Sequence, residues 1–357
     1  MNKKFIFRVL GLIFSCISAV LFLCLLELLI RIAQPNFLKD KIYNNCINWY
    51  CTFDSALGWK NRKNTYCTLL GSRFYINNKG FRGKPVYFGH KTKKRVLILG
   101  DSIVFGVGVA DNETFSEILN SYVVLQLDFV NCGVIGYGPD QELLLYKKYF
   151  KKINPDVVIL SICLDNDFLD ISLPRCQYDG GFLPKPVFLK NNMGYYSLYD
   201  NHIKLSLRER LEYELNYRSY LYNYIQYKIN RNFQKERLEM LMRKTKLSLN
   251  YGTMGDEREK MMYLVNQLNL LCRNNRHDLI VLLFPSGKMV LRNHDYDNYF
   301  YLTKELANNG IKFIDFYKEL HLNRDNFFQY ARDDSFHLKP EGYYIIAGII
   351  RDFILRK

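Results

Sequence analysis

A serine, a glycine, a carboxamide and an Asp-x-x-His pair stand in this chain in an order that acyl-transfer chemistry can use. Gly100-Asp101-Ser102 offers a hydroxyl, residues 131–136 end in Gly136, Asp165-Asn166-Asp167 offers an amide, and Asp334 stands three residues before His337. A serine nucleophile needs a base, the base needs a carboxylate that fixes its tautomer, and the tetrahedral oxygen needs N–H donors. On a tight loop Asp334 can accept the Nδ1 proton of His337 and leave Nε2 for the serine. Each stretch also has a plainer reading. Gly and Ser at a strand-to-helix turn serve the turn and cap the helix, yet the same helix start presents free N–H groups to an oxyanion. Gly136 supplies a positive φ before Pro139, and its missing side chain lets its N–H face a carbonyl; the two roles are compatible. Asn166 reads as an Asx-turn residue or as an amide donor, and its place straight after an apolar run favours the donor. Asp101 reads as a structural carboxylate.

Competing chemistries are poorly supplied. Ser286, in Phe284-Pro285-Ser286-Gly287, lacks the Gly-x-Ser-x-Gly elbow and reads as a loop residue. The other five histidines, His90, His202, His277, His294 and His321, read as surface or core residues. Asp165 and Asp167 have no histidine or third carboxylate at ligand spacing, so no metal site is expected. Gly106 and Gly108 form no dinucleotide fingerprint and no phosphate-loop motif occurs, so no cofactor is expected.

These residues must be held by something, and short apolar runs precede most of them. Runs at 95–99, 128–130, 157–162, 279–284 and 311–314 lack alternation, as strands buried on both faces do. Helical spacing lies between them, for example at Leu143, Tyr146, Phe150 and Ile153 after Gly138-Pro139. Strand and helix in alternation predict an α/β fold with a doubly wound parallel five-stranded sheet, whose ligands bind beyond the carboxyl ends of the strands. The four stretches sit there. Residues 31–94 precede this domain of 95–357; 36–92 are rich in Asn, Gly and Tyr and read as a hairpin-containing cap with a turn at Asn77-Asn78-Lys79-Gly80. Residues 168–255 read as an insertion, helical over 205–246. There Tyr220, Tyr224 and Tyr227 share one face, as a packing stripe or a sugar-stacking one, and Arg208, Arg210, Arg231, Arg237 and Arg243 form a solvated basic face or meet an anionic glycan or lipid headgroup.

Composition narrows the class. With 48% hydrophobic and 15% aromatic residues among 357, the chain can bury a large core, which excludes disorder. Fifty Lys+Arg against 35 Asp+Glu give +15, which suits an anionic partner. Nucleic acid is not expected, because no zinc-finger spacing, RNA-binding aromatic signature or basic helix running into heptads is present.

The first residues set the compartment. After a basic tail (1–8), the 18 residues 9–26 carry no charge; at about 1.5 Å each they span roughly 27 Å, close to a bilayer core. A transmembrane anchor over 9–30 is expected rather than a cleaved signal, since the run is long and ends without a small-x-small site. Glu27 stands four residues before Arg31, where a helical pair accounts for it. Lys3, Lys4 and Arg8 before the span balance Arg31, Lys39 and Lys41 after it; the tail abutting the span favours a catalytic domain outside the cytoplasm. Cys46, Cys51 and Cys67 cluster where a disulfide could form, while Cys132, Cys163 and Cys272 lie in apolar runs and read as buried thiols.

Gly100-Asp101-Ser102, Gly136, Asn166-Asp167 and Asp334-x-x-His337, in that order, resemble the four blocks of the SGNH/GDSL hydrolase superfamily, across about two-thirds of the chain. The span followed by residues 57–61 (LeuGlyTrpLysAsn) and 75–83 (TyrIleAsnAsnLysGlyPheArgGly) resembles bacterial single-span members. The resemblance implies a flavodoxin-like three-layer α/β/α domain, Ser102 as nucleophile, His337 as base and Asp334 as its orienter. It also implies Ser102 N–H, Gly136 N–H and the Asn166 amide as oxyanion donors. One departure is Leu164, where the family usually has Gly. The implied substrate is an O-acetyl or other short acyl ester on a surface glycan or lipid. Acyl transfer to a sugar hydroxyl would use the same residues, and a non-catalytic glycan-binding or assembly role is the reading from another class. Oligomeric state is not specified by the sequence.

Overall fold

The computed structural model describes residues 3–33, 50–89, 91–178, 181–200, 203–229, 257–294, 296–332 and 337–356. The described elements fall into two compact units. The larger is built on five parallel strands: β5 (Lys94–Leu99), β6 (Leu127–Asn131), β7 (Val157–Cys163), β12 (Asp278–Phe284) and β13 (Lys312–Asp315). Four antiparallel strand pairs lie outside this sheet. β1 (Cys51–Asp54) pairs with β2 (Gly58–Asn61), and β3 (Thr65–Leu69) with β4 (Ser72–Ile76). β8 (Arg175–Tyr178) pairs with β9 (Gly181–Pro184), and β10 (Val187–Lys190) with β11 (Tyr196–Tyr199).

The order across the sheet is β13-β12-β7-β5-β6. In chain order this is 2-1-3-4-5, so the winding reverses between β5 and β7, and a crevice opens above their carboxyl ends. Residues after β5 and β7 therefore face each other across that crevice. The apolar runs read from the sequence are these five strands, four of them extended by a residue or two and the last shifted by one: Val96 to Leu99 and Val158 to Cys163 are all buried.

Every link between sheet strands carries a helix. Those used below are α1 (Lys3–Ala33), α2 (Ser102–Phe105), α3 (Phe115–Ser121), α4 (Pro139–Ile153), α5 (Asp167–Asp170), α6 (Leu207–Arg218), α7 (Tyr220–Ile229), α8 (Glu257–Asn274), α9 (Tyr296–Asn308) and α10 (Pro340–Leu355). α10 packs on α3, whereas α8 packs on α4 and α9, as right-handed crossovers in this strand order require. α4 begins at Pro139, whose missing N–H costs nothing at a first turn.

Residues 50–89 form two hairpins rather than a loose cover. The expected turn is present: Asn77 Oδ1 accepts from Lys79 N (2.9 Å) and Phe81 N (3.1 Å), and Gly80 takes φ 88°. Cys51 and Cys67 form no disulfide among the described residues, and Cys46 lies outside them. Cys132, Cys163 and Cys272 are buried, and burial pushes each thiol up.

The smaller unit joins α1 to α6 and α7. The helix Lys4–Ala33 is long and apolar enough to cross a membrane. Glu27 pairs with Arg31 (2.8 Å), as its spacing suggests, and does more. Its carboxylate accepts from Tyr220 N (2.9 Å), Leu221 N (2.8 Å) and Ser219 Oγ (2.9 Å), which caps the start of α7. Arg31 donates to Arg218 O (2.6 Å) and lies 4.6 Å over the Tyr220 ring. Tyr220, one of the three residues of the expected stripe, therefore packs against α1. Arg208 is engaged by Glu212 at 2.8 Å. Residues 230–255, with Arg231, Arg237 and Arg243, lie outside the described residues, as do His90 and His202.

Asp54 fastens the first hairpin to the domain. Its carboxylate accepts from Lys148 (2.7 Å) and Lys60 (2.9 Å), and from Ala56 N (3.0 Å) and Leu57 N (3.1 Å). Burial pushes this carboxyl up, but Lys148, Lys60 and the Ala56 amide outweigh it and bring it down from 3.8 to about 2. A value below that of the unfolded chain means stabilisation present in full above 3.8 and lost as pH falls towards about 2. Wild type should therefore lose more melting temperature between pH 5 and pH 2.5 than Asp54→Asn does; equal losses by calorimetry would refute the assignment.

Candidate active site

The turn after β5 must change a buried strand into a helix within three residues. Gly100 makes this possible, because a Cβ there would meet Ser161 Cβ at 2.9 Å and collide with the Val104 side chain. Asp101 caps α2, accepting from Ile103 N at 2.9 Å. Ser102 is thus the first residue of a helix, and its Oγ lies 3.0 Å from His337 Nε2. The two are 235 positions apart in sequence. His337 arrives through an isolated antiparallel bridge between Ala331 and Leu338, with the His337 carbonyl accepting from Arg332 N. Arg332 Nη2 donates to Gly108 O (2.7 Å), and Tyr343 Oη on α10 donates to Ile103 O (2.7 Å). These bonds tie the histidine segment to the segment that follows the serine. Asp334 lies outside the described residues.

The stretch after β6 is drawn against the same turn. Cys132 N donates to Ile98 O (2.9 Å) and Val134 N to Gly100 O (3.0 Å), continuing the β5–β6 pairing past the sheet. Asn131 Nδ2 donates to Val104 O (2.7 Å), and a Cβ on Gly133 would meet Phe105 Cα at 2.8 Å. Gly136 takes φ 76°, as its turn role requires. After β7, Leu164 N donates to Phe284 O (3.0 Å) and Leu164 keeps a negative φ, so a side chain is accommodated where the family pattern has Gly.

Asn166 starts α5 without a side-chain capping bond, so the Asx-turn alternative is not realised. Its Nδ2 instead faces three carboxylates: Asp170 Oδ2 at 2.7 Å, and Asp101 Oδ2 and Asp167 Oδ1 at 3.4 Å each. Asp101 Oδ2 is also 3.4 Å from Ser102 Oγ. Asp140 and Glu142 of α4 are fully buried nearby in charge terms, and Lys185 and Lys260 balance part of the acid. Lys185 Nζ donates to Asp140 Oδ1 (3.0 Å) and Asp170 O (2.7 Å), and Lys260 Nζ to Ile171 O (3.4 Å). Burial drives these carboxyls upward: Asp101 and Asp140 are raised, and Glu142 and Asp167 are well above their ordinary range, with neighbouring acids adding to the effect. Burial likewise raises Asp170, against Lys185 and Asn166, to about 6. Neither oxygen of Glu142 has a hydrogen-bond partner among the described residues, which fits a protonated, neutral acid.

Two braces come from the segment 50–89. Residues 57–61 grip the Gly133–Gly136 stretch: Asn61 Nδ2 donates to Gly133 O (3.0 Å), Trp59 Nε1 to Ile135 O (3.1 Å), and Gln141 Nε2 to Leu57 O (2.7 Å), while Tyr137 Oη donates to Trp59 O. Arg82, in the Gly-Phe-Arg-Gly run, is buried; its guanidinium donates to the carbonyls of Phe105, Gly106 and Val109 and to Asp111. Ser286 is also placed: it is 2% exposed, caps the helix Gly287–Arg292 and donates to Asp165 Oδ1 at 3.0 Å. Among the described residues no His/Cys/Asp/Glu group is arranged to hold a metal ion.

No protein-family model matches the chain, and no curated protein matches it by sequence. Solved structures do match. A GDSL-like lipase from Bacteroides thetaiotaomicron is 13% identical, with 77% of this chain and 92% of that one covered and a TM-score of 0.38. The psychrotrophic esterase EstA from Pseudoalteromonas sp., inhibited by monoethylphosphonate, is 12% identical, with 74% and 98% covered and a TM-score of 0.40. An acetyl xylan esterase is 13% identical, with 72% and 98% covered and a TM-score of 0.41.

The contact at Gly133 makes a direct test. A methyl group there would press on main-chain atoms of Phe105, and overpacking of this kind costs about 1–3 kcal/mol. Gly133→Ala should lower the melting temperature by several degrees, at roughly 2–4 °C per kcal/mol for a domain of 150–250 residues. An unchanged melting temperature would refute the close approach.

Proposed function

We propose that this chain is a membrane-anchored serine ester hydrolase of the SGNH/GDSL type. The observation that carries the reading is the 3.0 Å contact between His337 Nε2 and Ser102 Oγ, at the carboxyl edge where β5 and β7 part. Ser102 Oγ attacks the acyl carbonyl as its proton passes to Nε2. The tetrahedral oxygen then receives the N–H groups of Ser102 and Gly136 and the Asn166 amide, donors that stabilise this state more than the ground-state ester. Collapse expels the alcohol with the proton from His337, leaving an acyl-serine. Water, deprotonated by the same nitrogen, repeats the sequence and releases the acid. Asp334, three residues before His337, is assigned to hold the Nδ1 proton.

The apolar helix of α1 supports a substrate presented near a membrane, and the family resemblance supports an O-acetyl or other short acyl ester on a surface glycan or lipid. No cofactor is required by this mechanism.

A fluorophosphonate probe should label Ser102, and labelling should vanish in Ser102→Ala and His337→Ala; adduct at Ser286 would overturn the assignment. In cells with a permeabilised outer layer, added protease should cut within 170–255. Protection until the inner membrane is lysed would place the domain in the cytoplasm. Mass spectrometry of acylated glycans incubated with the full chain, with and without an acceptor sugar, should show free acid in both; product acylated on the acceptor instead would reassign the reaction as transfer.

A further inference from the structure

We propose that Asp170 is a positioning residue for the Asn166 amide, held in turn by Lys185 from the link between β9 and β10. The inference rests on the reading of Asn166 as an oxyanion donor. A carboxamide has two N–H groups and a soft terminal torsion, so an amide fixed only at Cβ can swing away from a developing charge. The main chain of Asn166 is fixed, since its carbonyl accepts from Leu169 N (2.9 Å) and Asp170 N (2.8 Å). The side chain is fixed by Asp170 Oδ2 at 2.7 Å, a length typical of a charge-assisted bond. The other two carboxylate oxygens, at 3.4 Å, are beyond ordinary hydrogen-bond length. One N–H is therefore held firmly and the other weakly, beside Asp101 Oδ2, which is itself 3.4 Å from Ser102 Oγ. A donor set in place before the reaction needs no reorganisation when charge appears.

Asp170 has its own support. Lys185 is 1% exposed, and its ammonium spans Asp170 O (2.7 Å) and Asp140 Oδ1 (3.0 Å). The backbone turn that carries Asp170 is thus tied to α4 by a residue in the short link between two hairpins. The hairpin region takes part in the chemistry by holding the group that holds the donor.

Steady-state kinetics of the full chain in detergent with p-nitrophenyl acetate supply the first test. Asn166→Ala should lower kcat by about 10² to 10³. Asp170→Ala should lower kcat at least about tenfold with KM nearly unchanged, and Asp170→Asn, which keeps an acceptor oxygen, should recover most of it. In the Asn166→Ala background, adding Asp170→Ala should change kcat by less than about twofold, because its effect passes through the missing amide. Additive losses, or a loss in KM alone, would overturn the proposal while leaving ester hydrolysis intact. The second test needs no turnover. In full chain labelled with ¹⁵N-asparagine, the Asn166 amide proton facing Asp170 should resonate downfield and move upfield in Asp170→Ala and in Lys185→Met. A resonance unmoved by Asp170→Ala would refute the positioning role even in an active enzyme. The expected shift in a protein without esterase activity would sink the proposed function and leave the positioning standing.

Discussion

Two main chains that nearly touch set the terms for the rest of this domain. At Gly133 the stretch after β6 lies so close to α2 that no Cβ fits against Phe105, and Val134 N reaches Gly100 O at 3.0 Å. Close backbone approach at such a point needs glycine, and it fixes the relative position of the serine turn and the Gly136 loop to within the tolerance of a hydrogen bond. Once these are locked together, the reversal of strand order between β5 and β7 brings Asn166 opposite, and the α10 segment delivers His337 to the open side. Asn61, Trp59 and Arg82, from the segment 50–89, then hold the locked pair against sliding. They do it by occupying main-chain carbonyls that the irregular loops would otherwise leave unpaired.

A second feature is the excess of acid beneath the crevice. Burying Asp101, Asp140, Glu142 and Asp167 together is costly unless some are neutral or paired. The site meets that demand in both ways: Lys185 sits on Asp140, while Glu142 is driven towards its protonated form. The cluster thus carries less negative charge than its formula suggests.

Much of this was legible in the sequence, for reasons that can be named. Strands buried on both faces are written as unbroken apolar runs, so the five sheet strands could be read directly, and the polar residues straight after them mark the functional edge. Ser102 and His337 each stand in a distinctive local pattern, and the fold brings them within 3.0 Å of each other. The four hairpin strands β8 to β11 were not legible, since four-residue strands show too little period to stand out from loop. The service of Arg82 was hidden because three of its four partners are carbonyl oxygens, which no side-chain pattern encodes. Asp170 escaped notice because its spacing of four from Asn166 acquires meaning only when a single helical turn forms there. Lys185 contradicts the rule that lysine stays outside, and its burial depends on the acid cluster. Within the expected insertion, Lys185 ties the turn that carries Asp170 to α4.

Glu27 carries a consequence for biogenesis. Its carboxylate closes the start of α7 across 193 and 194 positions of sequence, so the cap is made early in synthesis and its client emerges late. Until then the glutamate at the end of the apolar helix has only Arg31 for company. A chain trimmed of its first 33 residues would present Tyr220 and Leu221 with bare N–H groups and would lose the ring contact of Arg31 as well. The leading helix is thereby a folding partner of a distant segment. Soluble versions of this protein would best keep the α7 start satisfied by other means, such as an Asp in place of Ser219.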